Sequence, residues 1–188
     1  MSLRLMTLQP WESIEVPLMK PAQNKTHAET EGREMQILEF RVGENSYGMD
    51  VAIVCELLQY RPVEPMPQAM PCVEGVICPR NELLTVIELA AYLDHPASQR
   101  QEQDIFIIAE IGQKRIAFHA HQVVGMHQVP LDAVEKPDPT VFGGNAGVVT
   151  GVAKINGNLI SILDFDKIMT DVNPYACTGT DVPATLPA

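Results

Sequence analysis

Aromatic residues are scarce in this chain, at 5% of 188 residues, and tryptophan occurs once, as Trp11. Positive charge is scarce too: 13 Lys and Arg stand against 24 Asp and Glu, for a net charge of −11. A nucleic-acid backbone or an anionic lipid surface needs clustered Lys and Arg, so neither is an expected partner. Cysteine is limited to Cys55, Cys72, Cys78 and Cys177, with no CxxC pair and no zinc-ligand spacing. They read as reduced thiols of a cytoplasmic protein, three of them packed against apolar neighbours. No apolar run approaches the roughly 18 residues of a membrane span, and Gln9, Pro10 and Glu12 interrupt any signal-peptide core. Reactive motifs are missing as well. Gly143-Gly144-Asn145 lacks the lysine of a phosphate loop. Asp132, Glu135 and Asp138 lie in a proline-containing loop with no base–nucleophile pair. Catalysis is therefore not expected, and no cofactor or metal is assigned.

What the chain has is short apolar strands separated by turns. Apolar residues make up 46% and charged residues 20%, ordinary for a globular protein. The length suits one domain or two small subdomains sharing a core. Residues 1–34, broken by Pro10, Pro17 and Pro21, read as a tail or arm without a core of its own. Trp11 on that arm is either part of a loose extension or a group that docks on the domain or a partner. From Ile37 the period becomes two, with Leu38, Phe40 and Val42 on one face and Glu39 and Arg41 on the other. Gly43-Glu44-Asn45-Ser46 turns the chain, and Tyr47–Val51 returns it. Asp50 is placed to cap a short helix through Val54 and Glu56. Pro62, Pro65, Pro67 and Pro71 forbid regular structure and mark a surface loop. Ile105–Ala109 and Arg115–Val124 form a hairpin around Gly112-Gln113, after a crossover loop at Asp94–Gln103. Pro130–Gly147 is an irregular excursion.

Two segments repeat each other without a gap. Gly75–Leu93 laid on Gly151–Met169 matches Gly75 with Gly151, Leu83 with Leu159, and LTVIEL with ISILDF. Each reads as strand, tight turn, strand, acidic residue and short amphipathic helix, so two similar β-subdomains are expected. Glu88 and Asp164 fall where a carboxylate suits a helix N-terminus. Asn156-Gly157 is a type I′ hairpin signal, because both central positions need positive φ. Its counterpart is Arg80-Asn81, which places Arg80 exposed on a tight turn.

His119 and His121 share a strand face at a spacing that allows a common ion, with no Cys, Asp or Glu adjacent in sequence to complete a set. His127 is placed beyond that strand. A small-molecule or metal-sensing β-module with these histidines lining a pocket between the subdomains is the alternative to a protein-binding role.

FRVGENSYGMDV, Val54-x-Glu56-Leu57, VEGVI, the Arg80 turn, LLTVIEL and ILDFDKIM, in this order, resemble the CheW-like coupling domain of bacterial chemotaxis across residues 35–174. His121, where CheW commonly has an acidic residue, and Asp171-Val172-Asn173-Pro174 resemble the CheV branch. The resemblance implies a mainly β fold of two small SH3-like, five-stranded β-barrel subdomains with short helices, flanked by a tail at 1–34 and another at 175–188. It implies no catalysis. The role implied is an adaptor coupling the cytoplasmic tip of methyl-accepting chemoreceptors to the regulatory domain of the histidine kinase CheA. For the CheV branch it implies an N-terminal coupling domain here without its receiver. Val54, Glu56, Leu57, Arg80 and Asn81 are the partner-binding residues it points to. The turn departs from the family's Asn-Leu-Arg-Gly: here it is Cys78-Pro79-Arg80-Asn81, which keeps the arginine and stiffens its approach. Arg80 can offer a planar, paired donor to a carboxylate or carbonyl. Its plainer reading is a solvated turn arginine, and Glu56 is equally readable as a local partner of Arg80.

Overall fold

Among the described residues, eleven strands and two short helices fold into two interlocked β-barrels. The computed structural model describes residues 33–96, 103–137 and 147–172. The tails with Trp11 and Cys177, and Asp138 and Gly143-Gly144-Asn145, lie outside the described residues. The strands are β1 (Glu34–Val42), β2 (Asn45–Asp50), β3 (Val54–Gln59), β4 (Val73–Ile77), β5 (Leu84–Glu88), β6 (Ile105–Ile111), β7 (Lys114–Ala120), β8 (Gln122–Pro130), β9 (Val134–Glu135), β10 (Val149–Ile155) and β11 (Asn158–Leu163). Helix α1 (Leu89–Tyr92) follows β5, and α2 (Phe165–Val172) follows β11. The first barrel is built on the order β8-β1-β2-β11-β10-β9, the second on β3-β6-β7-β5-β4.

These two orders show the repeat to be deeper than the stretch visible in sequence. Hairpin β1–β2 corresponds to β6–β7, each closed by a two-residue turn that starts with a glycine at positive φ, Gly43 (61°) and Gly112 (65°). Strand β11 runs parallel to β2, and β5 runs parallel to β7. The third strand of each unit is exchanged: β3 pairs with β6 of the second barrel, and β8 pairs with β1 of the first. A 3₁₀ turn, Val51–Ile53, carries the chain over, its first amide held by the Asp50 carboxylate (Ala52 N to Oδ1, 2.8 Å). His121 marks the return between β7 and β8. Because of the exchange, neither barrel can leave the other without giving up an edge strand.

Packing follows the exchange. Leu38, Phe40, Met49, Ile107, Phe118 and Phe165 belong to one core contributed by both barrels. Smaller clusters fill each barrel, around Ile37 and Ile160 in the first and around Phe106 and Val86 in the second. The face of β1 that carries Glu39 and Arg41 is also partly covered, with Ile37 and Glu39 buried and Arg41 exposed. Glu39 is buried and hydrogen-bonded to His127 at 2.7 Å, and His127 lies within β8, not beyond a strand. A one-sided sheet would have put the polar alternation in water; a sheet that lines a barrel and abuts a second one cannot. The expected strand Arg115–Val124 is likewise two strands, since β7 ends at Ala120 and β8 departs for the other barrel.

Turn chemistry follows the repeat. Arg80 (φ 49°) and Asn81 (φ 66°) are both left-handed, as are Asn156 (φ 50°) and Gly157 (φ 87°). The Asp164 carboxylate caps α2 through the Lys167 amide at 2.9 Å. Glu88 occupies the equivalent position but makes no side-chain cap, a difference in keeping with α1 being a single turn.

Candidate functional site

Strand β3, the β4–β5 turn and the β6–β7 hairpin meet at one end of the second barrel and gather its exposed charges. Glu56 is on β3 and not on a helix, because the helical turn ends at Ile53 and Val54 already pairs with Ala109. A bulge between Val54 and Glu56 offsets the ladder there. Across from it the left-handed turn presents Arg80, whose guanidinium lies 2.9 Å from Glu56 Oε1. The contact is close but not aligned as a hydrogen bond, so its attraction is mainly coulombic. The two side chains differ sharply in access, with Arg80 59% exposed and Glu56 13%. Glu56 therefore steers a guanidinium that keeps most of its surface for something else. Arg115, paired with Glu82, extends the charged rim. Burial raises the pKa of the Cys55 thiol beside it, so that sulfur is a packing group rather than a nucleophile.

Of the five expected contact residues, Arg80, Asn81, Glu56 and Val54 share this end of the barrel. Leu57 does not present itself there. It is 8% exposed and sits in the shared core with Ile168 and Val172 of α2. The apolar surface expected at Leu57 is absent because its side chain faces that core. Cys78 is exposed, so the reading of three packed thiols fails for it, while Cys72 is buried.

The histidines are arranged differently from the sequence reading. His119 is buried, with Nδ1 2.9 Å from Glu74 Oε2 and Nε2 3.4 Å from Asp104 Oδ2. A carboxylate only accepts, so the ring donates to Glu74. Tyr60 donates its hydroxyl to the other Glu74 oxygen at 2.9 Å and lays its ring against the imidazole, 4.8 Å away. Acidic neighbours are thus present, supplied by β4 and the residue before β6. His121 turns elsewhere, its Nδ1 accepting the Gly43 amide at 2.8 Å. The two rings stand edge to face 6.3 Å apart, and among the described residues no three His, Cys, Asp or Glu side chains are placed to hold a metal ion.

His121 gives a pH-dependence whose sign can be worked out. Burial lowers its pKa from 6.5, against the attraction of Asp104 and Glu88 and together with repulsion from His119 and His95. The folded chain keeps the ring neutral, as its acceptor role for Gly43 requires, while the unfolded chain protonates at the ordinary value. The contribution is therefore complete above 6.5 and is lost as the pH falls below that value towards the lower folded one. Urea unfolding should weaken less between neutral and mildly acidic pH in His121→Gln, which keeps an acceptor but cannot titrate. Equal slopes in the two proteins would rule out this role.

The sequence matches the CheW-like domain over residues 36–173. The chain belongs to that family. Among its relatives, a chemotaxis protein CheW of Thermotoga maritima is 27% identical over 143 residues, covering 74% of this chain and 91% of that protein. One from Treponema pallidum is 23% identical over 73% of this chain and 83% of its own length. The chemotaxis protein CheV3 of Helicobacter pylori is 24% identical over 79% of this chain but 51% of its own length. The solved structure of the scaffolding protein TtCheW of Thermoanaerobacter tengcongensis shares the fold, with a TM-score of 0.66, 23% identity, and coverage of 74% of this chain and 90% of that one. This CheW-like fold accounts for the two SH3-like barrels. No helix among the described residues is long and apolar enough to cross a membrane.

Proposed function

We propose that this CheW-like chain is a non-catalytic chemotaxis adaptor that couples the cytoplasmic tips of chemoreceptors to the regulatory domain of a CheA-type histidine kinase in the cytoplasm. The coupling unit runs from 35 to 174, with residues 1–34 and 175–188 as flanking tails. Its contact centres on Arg80 and Asn81, with Glu56 and Val54 beside them and Leu57 supporting β3 from within the core. The observation that carries the reading is an asymmetry between the repeats. Asn156-Gly157 makes the same left-handed turn in the first barrel with no ion pair, and Gly125 of β8 holds the place that Glu56 has on β3. A left-handed turn of this kind therefore forms without an Arg–Glu pair, which supports reading Arg80 and Glu56 as a contact rather than a requirement of the fold.

His121 and the Asp171-Val172-Asn173-Pro174 exit support the CheV type, as does the relative named CheV3, which aligns over about half of its own length. Binding of Arg80→Glu and Asn156→Glu to a kinase regulatory domain tests the site. The first should lose about 1–3 kcal/mol of binding, the size of an interface hot spot, and the second should bind as the parent does. Stability should fall by about 1–3 kcal/mol in Arg80→Glu, because the Glu56 carboxylate, 13% exposed, loses its counter-charge. Equal losses in both variants, or none in either, would remove Arg80 from the interface.

A further inference from the structure

The edge of the first barrel is bare in a way that its counterpart is not. Strand β8 borders its sheet and is paired on one side only among the described residues. Its sequence, QVVGMHQVP, contains no Lys, Arg, Asp or Glu, although charge is a common protection for an exposed edge. Val124 is 45% and Met126 58% exposed. Met126 stands opposite Leu38 of β1 as Leu57 stands opposite Ile107 of β6. Leu57 is buried in the core that also holds Ile168 and Val172 of the two-turn helix α2. The matching helix α1 stops after one turn at left-handed Asp94, and His95 beyond it contacts Tyr47 of β2. Met126 thus holds the position of buried Leu57 but is exposed among the described residues.

An occupant is attached nearby. Arg33 accepts the Leu131 amide at 2.9 Å, and Glu34 pairs with Pro130, so the residues before β1 join the barrel at the end of β8. Met126 is four residues back along that strand, about 13 Å away. The preceding segment carries Trp11 and the alternating apolar residues Ile14, Val16 and Leu18.

We propose that the N-terminal segment containing Trp11 folds back over β8 and covers Val124 and Met126. Covering this edge shields apolar surface from water, the dominant favourable term for such a contact.

Trp11 is the chain's single tryptophan, so its emission reports this contact and nothing else, with no kinase or receptor present. In the full chain Trp11 should emit to the blue of the urea-unfolded chain and resist a neutral quencher, independently of protein concentration. Met126→Glu should move the emission to the red and raise quenching to the unfolded level, with the circular dichroism of the barrels unchanged. Leu83→Glu, at an exposed apolar residue of the other barrel, should leave Trp11 as it was. The proposal fails if Trp11 is already exposed in the parent chain, or stays shielded in Met126→Glu. It fails also if shielding grows with concentration, which would give the β8 edge to a second copy.

Discussion

An alanine at position 75 should cost at least about 3 kcal/mol, a large share of what holds a domain of this size together. Gly75 sits at the bulge between β4 and β5 with φ at 149°, a conformation that side chains rarely adopt. A Cβ there would lie 2.1 Å from the Glu64 carbonyl oxygen and 2.8 Å from its carbon. That carbonyl cannot retreat cheaply, since it accepts the Val76 amide at 2.8 Å while the Glu64 amide donates to Val76 at 3.0 Å. These two bonds tie the proline-rich loop onto β4. Gly151 is the informative comparison. It occupies the same bulge in the first barrel, with Val134 and Glu135 of β9 crossing it as Glu64 crosses Gly75. Its added Cβ would meet the Val134 Cγ1 methyl at 2.4 Å, but the Glu135 oxygen only at 3.5 Å. A side chain can rotate where a backbone carbonyl cannot, so Gly151→Ala should cost about 1–2 kcal/mol. Urea midpoints of the two variants measure the difference; equal losses would refute the explanation.

The second large effect is expected at His119. Replacing it with leucine keeps most of the volume but takes the donor away from Glu74 and the basic group away from Asp104, all three being nearly inaccessible to water. Leaving a buried acceptor without its donor costs about 1–3 kcal/mol, and more for a carboxylate, because the group stays unsatisfied in the interior. The Tyr60 ring would also lose its stacking partner. A loss below about 1 kcal/mol in urea unfolding would mean that the carboxylates find other solvation and that the imidazole is filler. Asp104 ends the crossover into β6 and Glu74 lies on β4, so the cluster ties that crossover to the strand beside the Arg80 turn.

Much of this was legible in the sequence because the repeat is local where it is clearest. The β4–β5–α1 and β10–β11–α2 units align without a gap, and their turn residues announce positive φ in Asn156-Gly157. The repeat therefore places Arg80 on its turn from sequence alone. The exchange of β3 and β8 was not legible, since strand periodicity records which face is apolar and not which sheet a strand joins. That one fact accounts for most of the misplacements. It partly covers the second face of β1 and so buries Glu39, it divides Arg115–Val124 at His121, and it puts His127 inside a barrel. The acidic partners of His119 escaped for a related reason, as Glu74 and Asp104 are distant along the chain and only the β4–β5–β7–β6 packing brings them near. Glu56 was assigned to a helix because Asp50 is a sound cap; the helix it caps is one 3₁₀ turn that ends before Val54.

The account stands or falls on whether this chain bridges two proteins. The direct measurement is a co-sedimentation experiment in which a CheA-type kinase regulatory domain and a receptor signalling-tip fragment are mixed with and without the chain. The chain should bind each partner separately and carry the kinase domain into the receptor fraction, with Arg80→Glu failing to do so and Asn156→Glu succeeding. A chain that binds neither partner, or a kinase domain that reaches the receptor equally well without it, would contradict the adaptor function itself.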